Sequence, residues 1–316
     1  MSERSSNCRS TGAQYLILGA AALIGLEQFA EHYFDIPTDV LPGDEEVFRE
    51  EWPASRYGPL IREAMAMPEG QEPSKSKVLL NLLQCYQGAA IREKDLPRVR
   101  EALKLAEAHI QDTDEEGRGF LEKMTIRMGT VEFLWGQGQS QEAERLIDHS
   151  FAIRRSRPQN DETSHVSLTI ASTLARIGHV GLALACYKDA VDESFKETVK
   201  RKEYQYRPVT VLVGHIEWKC LGSAASESLV RYIFEGALSR DPGGQNSQER
   251  YLLWSSLILG LAPEVVSPTL LPLLERMAST IKHEGVGQEV QRHMARIRRI
   301  ESFTSLREPC FFHRRH

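Results

Sequence analysis

At 316 residues and 35.8 kDa the chain exceeds the usual size of one compact domain, so it is either two domains or one elongated array. A 41% hydrophobic and 26% charged composition argues against general disorder, and a net charge of −5 with pI near 6.1 argues against a surface basic all round, as wrapping nucleic acid demands. Five cysteines, Cys8, Cys85, Cys186, Cys220 and Cys310, are an odd number without a CxxC, which is no disulfide framework and leans toward a reducing compartment.

The chain opens with Arg4 and Arg9 ahead of "YLILGAAALIGLEQF", residues 15 to 29. Three readings of this apolar segment stand. As a membrane anchor it would contact the bilayer through residues 13–30, but its apolar run from Tyr15 to Leu26 is short of the roughly 20 residues that span one. The charge flanks would leave the N-terminus cytoplasmic. As a soluble core or docking helix it offers Gly19, Ala20, Ala21, Ala22 and Gly25 for close packing. As a cleaved signal it lacks a small-x-small site after Leu26. The anchor is placed first and membrane attachment is preferred to a cytoplasmic location.

Residues 37–76 carry Pro37, Pro42, Pro53, Pro59, Pro68 and Pro73 and the acidic cluster Asp44, Glu45 and Glu46. Proline removes a backbone donor and pushes the preceding residue out of the helical region, so this linker or collar holds only short helices.

From residue 77 the pattern changes to long amphipathic helical segments separated by short polar turns, without alternating strands. "VLLNLLQCYQGAAIREK" and "LPRVREALKLAEAHI" read as an antiparallel hairpin, with Asp95 as N-cap and Pro97 in the first turn. Two further hairpins follow. In each, a glycine, Gly138 or Gly178, ends the first helix, and an alanine five residues on, Ala143 or Ala183, sits inside the second. The glycine admits a left-handed turn, the alanine admits close packing, and the 40-residue spacing suggests stacked units.

These positions resemble tetratricopeptide repeats, in particular the longer-period repeats of kinesin light chains. The second unit matches at Ala171, Leu174, Gly178, Ala183, Tyr187 and Ala190; the first matches at Leu134, Gly138 and Ala143, with Ser150 in place of alanine. The resemblance covers residues 142–191 most closely. It implies an all-α fold of stacked antiparallel hairpins forming a right-handed α-solenoid. The implied organisation is an apolar N-terminal helix at 1–36, the linker at 37–76, repeats at 77–262, and C-terminal capping helices with a basic tail at 263–316. It also implies that a partner protein or peptide lies in the concave groove, against Asn81, Gln84, Glu132, Trp135, His165, Thr169, Ser172 and Arg176. The groove asparagine of the kinesin type is replaced by Gly129 in one unit and Thr169 in the next.

Chemistry is scarce. There is no P-loop, dinucleotide fingerprint, HExxH, GxSxG or kinase set, so no catalytic residue, cofactor or metal site is expected. Cys310, His313 and His316 have ligand types but no visible fourth member. The basic stretches "KETVKRKEYQYR" (196–207) and "RHMARIRR" (292–299) are read as solvated surfaces in preference to nucleic-acid contacts. A non-catalytic scaffold is therefore expected, with a ligand-sensing regulator or enzyme around "SPTLLPLLERM" (267–277) as the alternative. The oligomeric state is left open.

Overall fold

The computed structural model of the chain describes residues 52–68, 75–110, 119–157, 161–200, 207–240, 247–281 and 284–304. Among these the chain forms 12 α-helices, two short 3₁₀ turns and no strand. No described helix is long and apolar enough to cross a membrane, and the apolar segment 13–30 lies outside the described residues. Two compact units divide between Gln137 and Gly138, within the span read as repeats.

The first unit contains a 3₁₀ turn (Ala54–Arg56) and helices α1 (Tyr57–Met65), α2 (Lys75–Arg92), α3 (Leu96–His109) and α4 (Gly119–Gly136). Part of the proline-rich collar is thus packed structure: Ala54, Ile61 and Ala64 are buried, and α1 lies against α2. Helix α3 places Val99, Ala102, Leu103, Ala106 and Ile110 on one buried face at helical spacing. The two alanines on that face, Ala102 and Ala106, have no side chain beyond Cβ, so α3 sits close to both α2 and α4, and α2 also meets α4 directly.

The second unit contains α5 (Ser140–Arg155), α6 (Asp161–Arg176), α7 (Val180–Lys200), α8 (Arg207–Gly214) and α9 (Trp218–Arg240). It continues with α10 (Ser247–Gly260), a 3₁₀ turn (Pro263–Val265), α11 (Leu271–Thr280) and α12 (Glu284–Thr304). Helix α6 is the centre of its neighbourhood, flanked by α5, α7 and α9. Helices α8 and α9 lie on α7, and α10 joins them to α11 and α12.

The anticipated hairpin turns have a common geometry. Gly138 and Gly178 hold φ of 74° and 89°, the left-handed region that L side chains rarely adopt. After α6, Gly178 N–H donates to the Ala175 carbonyl (3.1 Å) and His179 N–H to the Leu174 carbonyl (2.8 Å), which closes the helix end with two reversed bonds. Between α2 and α3 the same pair recurs, from Lys94 to Ile91 (3.1 Å) and from Asp95 to Ala90 (2.9 Å). Here Lys94, φ 57°, occupies the place of glycine. Asp95 then caps α3, its Oδ1 accepting from Arg98 N–H at 3.2 Å. Five residues beyond each left-handed residue, Val99, Ala143 and Ala183 are fully buried.

A lysine pays a steric penalty at positive φ that glycine does not. Lys94→Gly is therefore expected to stabilise the protein by about 0.5–1 kcal/mol, seen as a higher urea midpoint at unchanged slope. A lower midpoint would contradict the left-handed turn.

The remaining family-like positions are packing positions. Leu134, Ala171, Leu174, Tyr187 and Ala190 are fully buried, as is Ser150, whose hydroxyl donates to the Leu146 carbonyl at 2.7 Å. In α9, Gly222 (φ 74°, ψ 173°) interrupts the helix one turn after its start, so the next left-handed glycine lies 44 residues after Gly178.

Candidate functional site

The first helices of the hairpins are buried nearly all round, and each leaves one narrow line less buried. On α2 this line is Lys77, Asn81, Gln84, Gly88 and Arg92; on α4 it runs through Thr125, Gly129, Glu132 and Gly136 with Trp135 beside it. Along α6, from Ser164 onward, only His165, Thr169 and Arg176 rise above the buried class, and Ser172, at 8% exposure, completes the same line. Steps of four and three residues keep such a line on one side of a helix. All eight sequence-predicted partner residues therefore fall on these lines or directly beside them.

Their local partners differ. In the first unit Gln84 Nε2 donates to Glu122 Oε2 at 3.2 Å, joining the lines of α2 and α4, while Asn81, Glu132 and Trp135 are half-buried. Deeper between these helices, Gln87 is buried and its Nε2 donates to the Ile126 carbonyl (2.6 Å) and to Thr130 Oγ1 (2.8 Å). Gly129 makes room for that amide: a Cβ there would stand 3.0 Å from Gln87 Oε1. The space beside Gly129 is thus filled by a side chain of α2.

In the second unit Thr169 Oγ1 donates to its own helix at the His165 carbonyl (3.0 Å). Ser172 shares a 3.1 Å hydrogen bond with the Tyr187 hydroxyl, which also accepts from Glu217 N–H at 3.1 Å. Burial pushes the Tyr187 phenol above its ordinary range, with the Ser172 bond opposing. Ser172 is thereby bound into the α6–α7 contact, and Arg176 pairs with Glu217 at 3.4 Å. Glu122 of α4 and Glu217, between α8 and α9, the acidic partners of Gln84 and Arg176, escaped the sequence reading because nothing local to either marks its distant neighbour.

A buried ion pair lies on the other side of α6. Arg154 of α5 donates through Nη2 to Glu193 Oε1 of α7 and through Nε to Ser167 Oγ (2.9 Å) of α6. The two charged side chains are 12% and 4% exposed, and burial lowers the affinity of the Arg154 guanidinium for its proton. Burial, with Asp189 adding to it, pushes the nearby Cys186 thiol up to about 12, so this cysteine is a small packed side chain and a poor nucleophile.

The segment proposed for a regulatory or catalytic site, 267–277, is engaged in packing. Leu270, Leu274 and Met277 are buried, and the hydroxyls of Ser267 and Thr269 donate to Glu227 Oε2, whose other oxygen takes Arg231 at 2.8 Å. The Ser267 bond first, then Thr269 and Arg231, hold the Glu227 carboxyl down to about 2 from an ordinary 4.5. A depressed carboxylate stabilises the folded state above its unfolded value and loses that contribution as pH falls through the folded one. The stability gap between wild type and Glu227→Gln is expected to be constant above pH 4.5 and to close toward pH 2. Urea titrations across that window measure it, and a gap independent of pH would refute the network.

Among the described residues no group of His, Cys, Asp and Glu is arranged to hold a metal ion. The triad of Cys310, His313 and His316 lies outside them, and within the basic stretch 196–207 only the side chain of Lys196 is described. Compared with protein-family models, with curated proteins and with solved structures, the chain matches none.

Proposed function

We propose that this protein is a non-catalytic interaction scaffold, built of tetratricopeptide-like hairpins wound as a right-handed α-solenoid. A partner protein or peptide lies against the lines on α2, α4 and α6, and the apolar segment 13–30 tethers the scaffold to a membrane. One observation carries the repeat reading. Side-chain hydrogen bonds within each unit join residues about one period apart: Glu93 to Ala54 and Gln87 to Ile126 at 39, Gln84 to Glu122 at 38, Arg154 to Glu193 at 39, Tyr232 to Asp192 and Ser267 to Glu227 at 40. Stacked units of nearly constant length produce this pattern, because equivalent positions of successive units become neighbours.

The binding surface follows from the same packing. A first helix enclosed by its neighbours keeps only one line for a ligand, and on α6 that line is polar, with His165, Thr169 and Arg176 set to orient a peptide and little to catalyse a reaction.

The test is photo-crosslinking in cells. Photoreactive residues placed at Asn81 of the first unit and Thr169 of the second, on the lines, are each expected to trap a partner. The same residue at Lys104 of α3 and Ala152 of α5, exposed on second helices, traps none. Capture at the control sites alone would overturn the groove. Thermal stabilisation by a metabolite without any trapped protein would favour the sensing or enzymatic alternative.

A further inference from the structure

Of the 14 prolines in the chain only Pro268 follows a serine or threonine, so Ser267-Pro268 is its single dipeptide of that kind. The pair lies on the surface connection between the Pro263–Val265 turn and α11. Ser267 is half-buried, Pro268 and Thr269 are exposed, and Val266 ahead of them is extended (φ −77°, ψ 117°). The residue before a proline is biased out of the helical region, so the chain enters Pro268 in extended form. Proline-directed protein kinases take a serine in such a segment, with proline directly after it, where proline has no N–H to leave unpaired. Thr269, the next hydroxyl, is followed by Leu270 and does not meet that requirement.

The Ser267 hydroxyl holds a joint between two helices. It donates to Glu227 Oε2 of α9 and accepts from Leu270 N–H at 3.1 Å, which caps the start of α11. Thr269 Oγ1 donates to the same carboxylate oxygen at 2.6 Å. Exposed Arg231 reaches Glu227 Oε1 (2.8 Å) and the Thr269 carbonyl (2.9 Å). One guanidinium thus balances one carboxylate. A phosphate on Ser267 would add a charge of about −1.5 to −2, on oxygens that act chiefly as acceptors. The donation to Glu227 would be lost and two anions would share Arg231. The phosphate has further donors in the first N–H groups of α11, whereas Glu227 has none to replace Ser267.

We propose that Ser267 is a phosphorylation site for a proline-directed protein kinase, and that its phosphate releases the start of α11 from α9 while keeping that helix capped. Ser267 Oγ attacks the γ-phosphorus of ATP: the Oγ–P bond forms, the bond to the β-phosphate oxygen breaks, ADP leaves, and the hydroxyl proton passes to the base of the kinase. This switch is separate from the lines on α2, α4 and α6 and does not rest on a partner lying there.

The experiment treats the full chain with Mg-ATP and a cyclin-dependent kinase, and maps phosphate by peptide mass spectrometry. Phosphate is expected at Ser267 and is lost in Ser267→Ala. The rate is expected to lie within about a hundredfold of that for a synthetic 262–272 peptide, since the hydroxyl must first leave one bond to a charged group. The phosphorylated chain is expected to have a lower urea midpoint than the unmodified one. In a Glu227→Gln background that loss falls to about half or less, because the amide carries no charge and can donate to the phosphate. No phosphate at Ser267 of the folded chain, whether or not the peptide takes one, would overturn the site. An unchanged or raised midpoint, or equal losses in the two backgrounds, would overturn the switch. If Glu227→Gln failed to fold, the mapping and the midpoint of the otherwise unaltered chain would still decide.

Discussion

Glu193→Ala is expected to cost about 3–5 kcal/mol of unfolding free energy. Removing the carboxylate leaves Arg154, 12% exposed, with Ser167 as its remaining hydrogen-bond acceptor and only the nearby Asp189, outside hydrogen-bond contact, to offset its charge. The low dielectric that strengthens a matched pair penalises an unmatched charge. Chemical denaturation measures the loss. The double variant Arg154→Met/Glu193→Leu, which replaces both charges by apolar groups of similar volume, is expected to recover most of it, because a satisfied buried pair adds little over good packing. A small effect of Glu193→Ala, or a double variant as unstable as the single, would show that the pair does not tie α5 to α7. Glu193 Oε2 is buried without a hydrogen-bond partner among the described residues, so part of the desolvation of this carboxylate is uncompensated already. That favours the apolar replacement further.

Gly129→Asn is expected to destabilise the first unit by about 2–3 kcal/mol. Any Cβ at 129 stands 3.0 Å from Gln87 Oε1, and the rest of an asparagine side chain would displace the amide from the Ile126 carbonyl and Thr130 hydroxyl. Helix propensity offsets little of this, since asparagine is only slightly better than glycine in a helix interior. In a double-mutant cycle the two changes are expected to be strongly coupled: in a Gln87→Ala background the asparagine meets empty space and its cost falls by at least about 1 kcal/mol. Additive costs would mean that Gln87 does not occupy the position.

Much of the chain's local organisation was legible from residue order. Asp95 and Pro97 marked the start of α3, and Gly138 and Gly178 marked left-handed helix ends, because caps and positive-φ turns depend on a few adjacent residues. The small residues five positions on, Ala143 and Ala183, were legible for the same reason: the turn fixes which face of the next helix points inward. Lys94 was not, since a lysine carries no signal for positive φ; the two reversed hydrogen bonds impose it. Part of the collar, around Ala54 and Ile61, was read as linker because proline counts describe what a backbone resists and not what it packs on.

The candidate surface divides in the same way. Helical spacing alone grouped His165, Thr169, Ser172 and Arg176, and the burial of α6 leaves that line the least covered. Spacing could not say what each side chain does there. Ser172 is bound to Tyr187, Arg176 to Glu217 and Gln84 to Glu122, and the charged pair Arg154–Glu193 crosses α6 on its other side. By itself the sequence determined that this protein is all-helical, where its hairpins turn and which faces are apolar, since those follow from backbone preferences and periodicity within a few residues. Only the tertiary structure decided which polar groups meet. Such partners lie between 15 and 41 residues apart, and their attraction exists only after helix packing has brought them together and removed the water between them.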